Sequence, residues 1–420
     1  MVVVVDEMMA TVPHRKDATL PGIPIFPEAI AAARIGCSRV ILGTSLSLRY
    51  RTLLIPPPSI IELLQQRVAR VPMTQALIGI NLLVFALMLG YGGGFWHSDN
   101  NVQLAWGANF APATKDGEWW RLGSALFLHF GLFHLAMNML SLWDGGRLVE
   151  RMFGSTRFVL IYFCSGLSGN LLSLVTQGDG AISGGASGAI FGVYGALMVT
   201  LWRERAHLNP GEFKWLFWGA VGFSIVTIVF GFQITGIDNA AHIGGLLGGI
   251  LAGSALAQPL FAPPPGRLRW AAAGVLIGVL ALLIGNIPAA EYRWREEVRA
   301  RGEISEFLGE DARISARWGA IMNHARRQPM TFDDLAGRIE SEISDSYEQS
   351  FEQLSRLHLG AAAPSAATLE SVREYAELRL HASRELVEGL RSKDPQRIQQ
   401  ALDLAAMAPA KVRKQPHAGD

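Results

Sequence analysis

Ser183-Gly-Gly-Ala-Ser187-Gly-Ala-Ile-Phe-Gly192 stands where a polar connection gives way to a long apolar run. Ser187 is flanked by Gly185 and Gly188, residues that permit sharp turns and the close approach of a neighbouring chain. The first N–H groups of a helix that begins here have no intrahelical partner. They are free to stabilise negative charge developing on a substrate oxygen. Small residues also gather where membrane helices pack, so Ser187 reads either as a packing contact or as a nucleophile. The residues on either side decide.

Of the 420 residues, 50% are hydrophobic and only 17% charged, which points to an integral membrane protein with soluble ends. The net charge of +1 gives no general pull toward nucleic acid, and none is expected as a partner. Cys37 and Cys164 lie in unrelated contexts and indicate no disulfide framework, metal cluster or redox pair.

Outward from Ser187, apolar runs alternate with short polar connections. Spans are expected at roughly 73–91, 128–146, 157–176, 186–202, 215–234, 239–257 and 268–287, each about long enough to cross a bilayer as a helix. The expected fold is all-α: a polytopic membrane bundle of seven helices, followed by soluble helices. Arg67 and Arg70 precede the first span. Arg147, Arg151 and Arg157 fall between the second and third, Arg203, Arg205 and Lys214 between the fourth and fifth, and Arg267 and Arg269 between the sixth and seventh. The connections around Asp179 and Gly236 carry no Lys or Arg. This alternation sets the N-terminus in the cytoplasm and, after seven crossings, the C-terminus outside. Trp96, Trp106, Trp119 and Trp120 in the first external connection, about 92–127, suit an element resting at the membrane interface.

Before the first span the sequence is less informative. No positive region precedes the initial valine run, so a cleavable signal peptide is not expected. Arg34 and Arg39 interrupt the moderately apolar stretch 28–48, which is not read as a span, and Pro56-Pro-Pro58 closes this region. Ile60 to Arg70 reads as a short amphipathic helix. At the other end, Thr331-x-x-Asp334 looks like a helix start. Leu335, Ile339, Ile343, Tyr347, Phe351, Leu354 and Leu357 then form one apolar stripe. A second helix is expected over 366–391 and a third from Asp394-Pro395. His324, His358 and His381 are read as surface residues, and nothing here has catalytic spacing.

Ionisable residues inside a membrane need a function or a partner. His129, His134 and Asn138 open the second span, Ser187 heads the fourth and His242 enters the sixth. Gly245-x-x-x-Gly249, extended to Gly253, bares one face of the sixth helix for close contact. If that contact is with the fourth helix, His242 meets Ser187, and an imidazole beside a hydroxyl is the minimum for an activated nucleophile. His134 and Asn138, four residues apart, share a helix face. Both can donate hydrogen bonds, which suits an oxyanion site where each aimed donor contributes about 3 kcal/mol. A metal site is the rival reading, but no His-Glu-x-x-His pattern or cysteine cluster supports it. His129 is off that face and is read as a structural hydrogen-bonding group. Asp238, four residues before His242, is in place for a triad but is read instead as the exposed end of the helix.

From roughly Met73 to Leu256 the chain resembles the rhomboid intramembrane serine proteases. The matching motifs run in the family's order: Glu118-Trp-Trp120-Arg121, His129-x-x-x-x-His134-x-x-x-Asn138, Gly185-Ala-Ser187-Gly188 and Ala241-His242-x-x-Gly245-x-x-x-Gly249. The resemblance implies a six-helix core that cleaves transmembrane or juxtamembrane segments of membrane proteins within the bilayer. It implies Ser187 as nucleophile and His242 as general base and acid. His134, Asn138 and the Ser187 N–H would form the oxyanion hole, with Trp120–Arg121 structural and no metal or organic cofactor. Phe191 stands where some members stack a tyrosine on the histidine, and the seventh span makes a six-plus-one layout. A catalytically silent relative that binds or routes clients is the alternative, and a channel or transporter is a third, disfavoured by the near absence of carboxylates within the spans. The expected organisation is a cytoplasmic region over 1–70, a catalytic core over 71–258, a linker and seventh span over 259–289, and a soluble helical domain over 290–420. A bacterial inner membrane is the expected location.

Overall fold

A computed structural model describes residues 59–261 and 263–412. The readings made for the valine run, for 28–48 and for Pro56–Pro58 lie outside the described residues. The helices are α1 (Ile60–Arg67), α2 (Pro72–Gly90), α3 (Asn100–Trp106), α4 (Ala111–Lys115), α5 (Arg121–Ser124), α6 (Leu132–Phe153), α7 (Ser155–Thr176) and α8 (Ser187–Glu204). They continue with α9 (Pro210–Gln233), α10 (Asn239–Ala255), α11 (Gly266–Gly285), α12 (Trp294–Arg327), α13 (Phe332–Ile339), α14 (Asp345–Ser355), α15 (Ala366–Ser392) and α16 (Pro395–Val412). The strands described are β1 (Asn109–Phe110) and β2 (Ile182–Ser183), paired antiparallel with Asn109 opposite Ser183. The fold is all-α and polytopic, as the pattern of apolar runs implies.

Helices α2 and α6 to α11 fall on the seven expected segments, and they differ in how they meet lipid. Four of them, α2, α7, α9 and α11, are long and apolar enough to cross a membrane alone. The second segment departs from its expected limits of 128–146. Leu128 to Gly131 is a bend of 92° between the short turn Arg121–Phe127 and α6, and the two pieces together qualify as a fifth crossing. At its other end α6 runs on through Arg147 and Arg151, placed by sequence in a connection, because only Gly154 separates it from α7. Glu150 explains that extension. Its buried carboxylate accepts hydrogen bonds from the Met73 and Thr74 N–H groups, the Thr74 hydroxyl and the Ser155 hydroxyl. It thereby caps the otherwise unsatisfied, positive start of α2. Helices α8 and α10 are too short or too polar at their ends to qualify as crossings on their own. They occupy the centre, where protein replaces lipid.

Small residues set that centre. A Cβ on Gly245 would lie 2.0 Å from the Gly188 carbonyl oxygen, and one on Gly249 2.0 Å from that of Gly192. On its other side α10 meets α7, where Gly244 and Gly248 pack on Ser168. Backbone-to-backbone contact of this kind fixes the register of α10 against both neighbours. The outer helices turn large apolar side chains away from the protein, among them Leu83 on α2, Phe230 on α9 and Leu282 on α11. Exposed tryptophans band the two ends, with Trp96, Trp119 and Trp120 at one and Trp202, Trp218 and Trp270 at the other, the belts expected at two membrane–water interfaces.

The connection between α2 and α6 is itself folded around Arg121. This buried guanidinium donates to the Leu104 and Ala108 carbonyls and to Glu118, and lies 4.8 Å from the Trp120 ring. Beyond the core, α12 to α16 enclose a separate apolar cluster that includes Phe307, Ile339, Tyr347, Leu380 and Leu390. Thr331 caps α13 as its sequence indicates, and one π turn, Glu340–Ser344, joins α13 to α14 along the expected stripe. The 34-residue α12 was not legible as a helix. His358 and His381 are exposed and His324 is half-buried.

Candidate active site

Three helices bring the site residues to one end of the bundle. His134 is in the first turn of α6, Ser187 is the first residue of α8 and His242 is in the first turn of α10. All three helices direct the positive ends of their dipoles to the same region, which favours an anion there, and the start of α8 at Ser187 has no side-chain cap.

The His242 Nε2 atom is 2.9 Å from the Ser187 Oγ. The contact follows from the packing below it, because Gly245 on Gly188 seats the histidine one turn above against the serine. Phe191, one turn into α8, stacks on the imidazole with ring centroids 4.4 Å apart and planes 13° from parallel. The phenyl ring therefore makes the stacking contact without a hydroxyl. With Nε2 accepting from the serine, the ring proton resides on Nδ1. That atom is buried and has no hydrogen-bond partner among the described residues.

Asp238 does not complete a triad. Its carboxylate caps α10 by accepting from Ala241 N–H, and is tied to α7 by Ser173 at 2.6 Å and Gln177 at 3.1 Å. Ser187 and His242 stand as a pair without Asp238, with the imidazole oriented by stacking and helix packing.

His134 lies on the other side of Ser187. A Cβ on Gly185 would fall 2.9 Å from the His134 Nε2 and 3.7 Å from the Ser187 Oγ, so both atoms border the same small space. Gly185 also has φ of +138° and donates its N–H to the Ala125 carbonyl. Glycine is required here twice, by conformation and by the ring above it. The Phe130 N–H donates to His134 Nδ1 at 3.4 Å, which leaves the proton on Nε2, aimed at that space. Asn138 is buried one turn deeper, its side-chain N–H donating to the His134 carbonyl. It makes no hydrogen bond to Ser187 or His242, and its second N–H remains available. His129 is read from the sequence as a structural hydrogen-bonding group, but both of its ring nitrogens are buried without a partner among the described residues. The hydrogen bond at this position is made by its backbone carbonyl, which accepts from the Gln103 amide at 3.0 Å. Its buried ring instead packs edge-on to His134 at 5.0 Å.

Among the described residues no group of three or more His, Cys, Asp or Glu is arranged to hold a metal ion. Sequence reasoning missed the β1–β2 ribbon, which leads into Ser187 through Ser183 and Gly184. Two-residue strands carry no alternation to read.

These features define a polytopic helical membrane protein with a serine–histidine pair at the head of its central helices. A family model described as a rhomboid domain matches residues 116–259. Over 191 residues the chain is 40% identical to rhomboid protease GluP of Bacillus subtilis (strain 168), covering 44% of this chain and 35% of that protein. It is 32% identical over 193 residues to rhomboid-like protease 1 of Toxoplasma gondii, covering 45% of this chain and 64% of that one. With YdcA of B. subtilis it shares 37% identity over 139 residues, 33% of this chain and 67% of that protein. The chain belongs to the rhomboid family and is an integral membrane protein. It spans less than two thirds of the length of the first two of these relatives.

Proposed function

We propose that this protein is an intramembrane serine endopeptidase that cleaves transmembrane or juxtamembrane segments of other membrane proteins. The observation that carries the reading is the 2.9 Å contact between His242 Nε2 and Ser187 Oγ, at a helix start bordered by the His134 donor. In the first step the Ser187 oxygen attacks the scissile carbonyl carbon while His242 Nε2 takes the hydroxyl proton. Charge collects on the carbonyl oxygen, for which the Ser187 N–H, His134 Nε2–H and the Asn138 amide are the donors. His242 then returns its proton to the leaving amine, the C–N bond breaks, and an acyl-serine remains. Water adds to that ester with its proton passing to Nε2. The C–Oγ bond then breaks, Ser187 recovers a proton, and the second fragment leaves as a carboxylic acid.

The bilayer excludes the water this needs, and a site at the head of three helices, on the side of the α2–α6 connection, is where water can reach. A substrate helix must open to expose its carbonyl, so segments rich in glycine and other weak helix formers are the expected targets. In this reading the core spans 71–258, with a cytoplasmic region before it, a linker and last span over 259–289, and an external helical domain over 290–420. The Lys and Arg distribution supports this orientation in a bacterial inner membrane.

A fluorophosphonate probe tests the chemistry without knowledge of the substrate. Labelling mapped to Ser187 and lost in His242→Ala is the expected result. A folded protein that the probe leaves unmodified would move the assignment to a client-binding relative.

A further inference from the structure

The helices that follow the core touch it at the loops that frame Ser187. Trp294, the first residue of α12, is buried against Leu104, Phe110 and Ala113, with Ile182 packed on the same cluster. Its ring meets Phe110 edge-on at 5.1 Å. Phe110 and Ile182 are partners across the β1–β2 ribbon, and Ile182 precedes the nucleophile by five residues. Two carboxylates reinforce the contact from the core side. Asp116 accepts the Arg295 N–H at 3.0 Å, capping the start of α12, whose own preceding residue, Arg293, supplies no side-chain cap. Asp179, on the connection that leads to β2, accepts the Glu291 N–H at 3.0 Å and pairs with Lys115 at 2.5 Å. Residues 291–295 therefore engage both loops at once.

We propose that Trp294, which lies outside the matched rhomboid domain, is a positioning residue for the nucleophile. The inference rests on the protease reading above. Trp294 clamps the β1–β2 ribbon, and the ribbon holds Gly184 and Gly185 so that the Ser187 oxygen and its N–H face the space beside His134. The ribbon is short, with two residues in each strand, and a two-stranded ribbon has little stability of its own in water. Its order depends on what packs over it. The last span and the external helices thus act on catalysis through one indole, and an event that lifts α12 would slow the enzyme without touching the dyad.

The test compares wild type, Trp294→Ala, Trp294→Phe and Asp179→Asn of the full chain in liposomes. A reporter with a helix-destabilised transmembrane segment supplies kcat and KM. The rate of fluorophosphonate labelling of Ser187 and hydrogen exchange of the 181–187 amides are followed alongside. Trp294→Ala is expected to lower kcat and labelling about tenfold or more, as a misplaced nucleophile does, with KM unchanged. Exchange at 181–187 rises, Trp294→Phe restores most of both, and Asp179→Asn falls between. Unchanged kcat and unchanged exchange in Trp294→Ala would overturn the proposal, as would a loss confined to KM. If wild type itself takes up no probe, the protease reading fails, and exchange at 181–187 still decides whether Trp294 orders the ribbon.

Discussion

Gly245→Ala adds one methyl group at the closest approach of α10 to α8. An ideal Cβ there would sit 2.0 Å from the Gly188 carbonyl oxygen, a shortfall of about 1.4 Å against the 3.4 Å at which ordinary contact begins. The atom it meets is backbone, so no side chain can swing aside and the helices must part. Gly188 adjoins Ser187, and Gly245 is one turn from His242. A parting of about 1.4 Å stretches the 2.9 Å Ser187–His242 contact to roughly 4 Å, beyond hydrogen-bond range. Overpacking of this kind destabilises by about 1–3 kcal/mol, offset in part by about 1 kcal/mol from alanine's better helix propensity. Activity is the more sensitive readout, since a displacement near 1 Å lowers a catalysed rate about 100-fold. The assay is cleavage of a reporter in liposomes, with thermal unfolding in detergent recorded on the same samples. Gly278→Ala on α11, where no atom lies within 4 Å of an added Cβ, is the control and is expected to leave activity unchanged and the unfolding midpoint unchanged or slightly raised. A Gly245→Ala protein with kcat within about twofold of wild type and an unchanged unfolding midpoint would refute the argument that this contact sets the dyad.

Phe191→Ala removes the ring stacked 4.4 Å from the imidazole and is expected to lower kcat about tenfold by releasing its orientation, while Phe191→Tyr retains activity; stopped-time cleavage assays check both. Arg121→Ala leaves two buried carbonyls and Glu118 without their donor, each loss worth about 1–3 kcal/mol, so the unfolding midpoint falls clearly and Arg121→Lys does not restore the three-way contact. In the external helices, burial pushes the Glu310 carboxyl up, but hydrogen bonds from Arg313 and Arg317 outweigh it and hold the group below its usual value. A depressed folded value means the stabilisation is present above the unfolded value of about 4.3 and is lost as pH falls through the folded one. The thermal stability of these helices is expected to fall on acidification below about pH 4, modestly because Glu310 is largely solvated, and Arg317→Ala flattens that dependence.

The core was legible because its constraints are written at fixed spacing. A glycine every four residues on α10 admits only a close backbone neighbour, and once that neighbour is the glycine-flanked α8, His242 falls on Ser187. The apolar runs located seven helices for a similar reason, since a bilayer tolerates few polar residues over that length. Boundaries were misread where tertiary contacts override composition. Glu150 and Arg151 read as a connection, yet Glu150 continues α6 because it serves the start of α2, and Leu128 reads as helix although the chain bends there by 92°. Nothing in the sequence announces that Glu291 and Arg295 meet Asp179 and Asp116, or that Trp294 meets Phe110, because these contacts join segments more than a hundred residues apart with no shared periodicity. Asn138 shows a finer limit. Its position on the His134 face follows from the sequence, but its hydrogen bond back to the His134 carbonyl is visible only in three dimensions.

The proposed function requires that Ser187 and His242 together perform peptide hydrolysis. It is tested most directly by reconstituting wild type, Ser187→Ala and His242→Ala separately into liposomes with a reporter carrying a helix-destabilised transmembrane segment. Cleavage by wild type and by neither variant is expected, with all three proteins folded and inserted. Cleavage that persists in Ser187→Ala would contradict it.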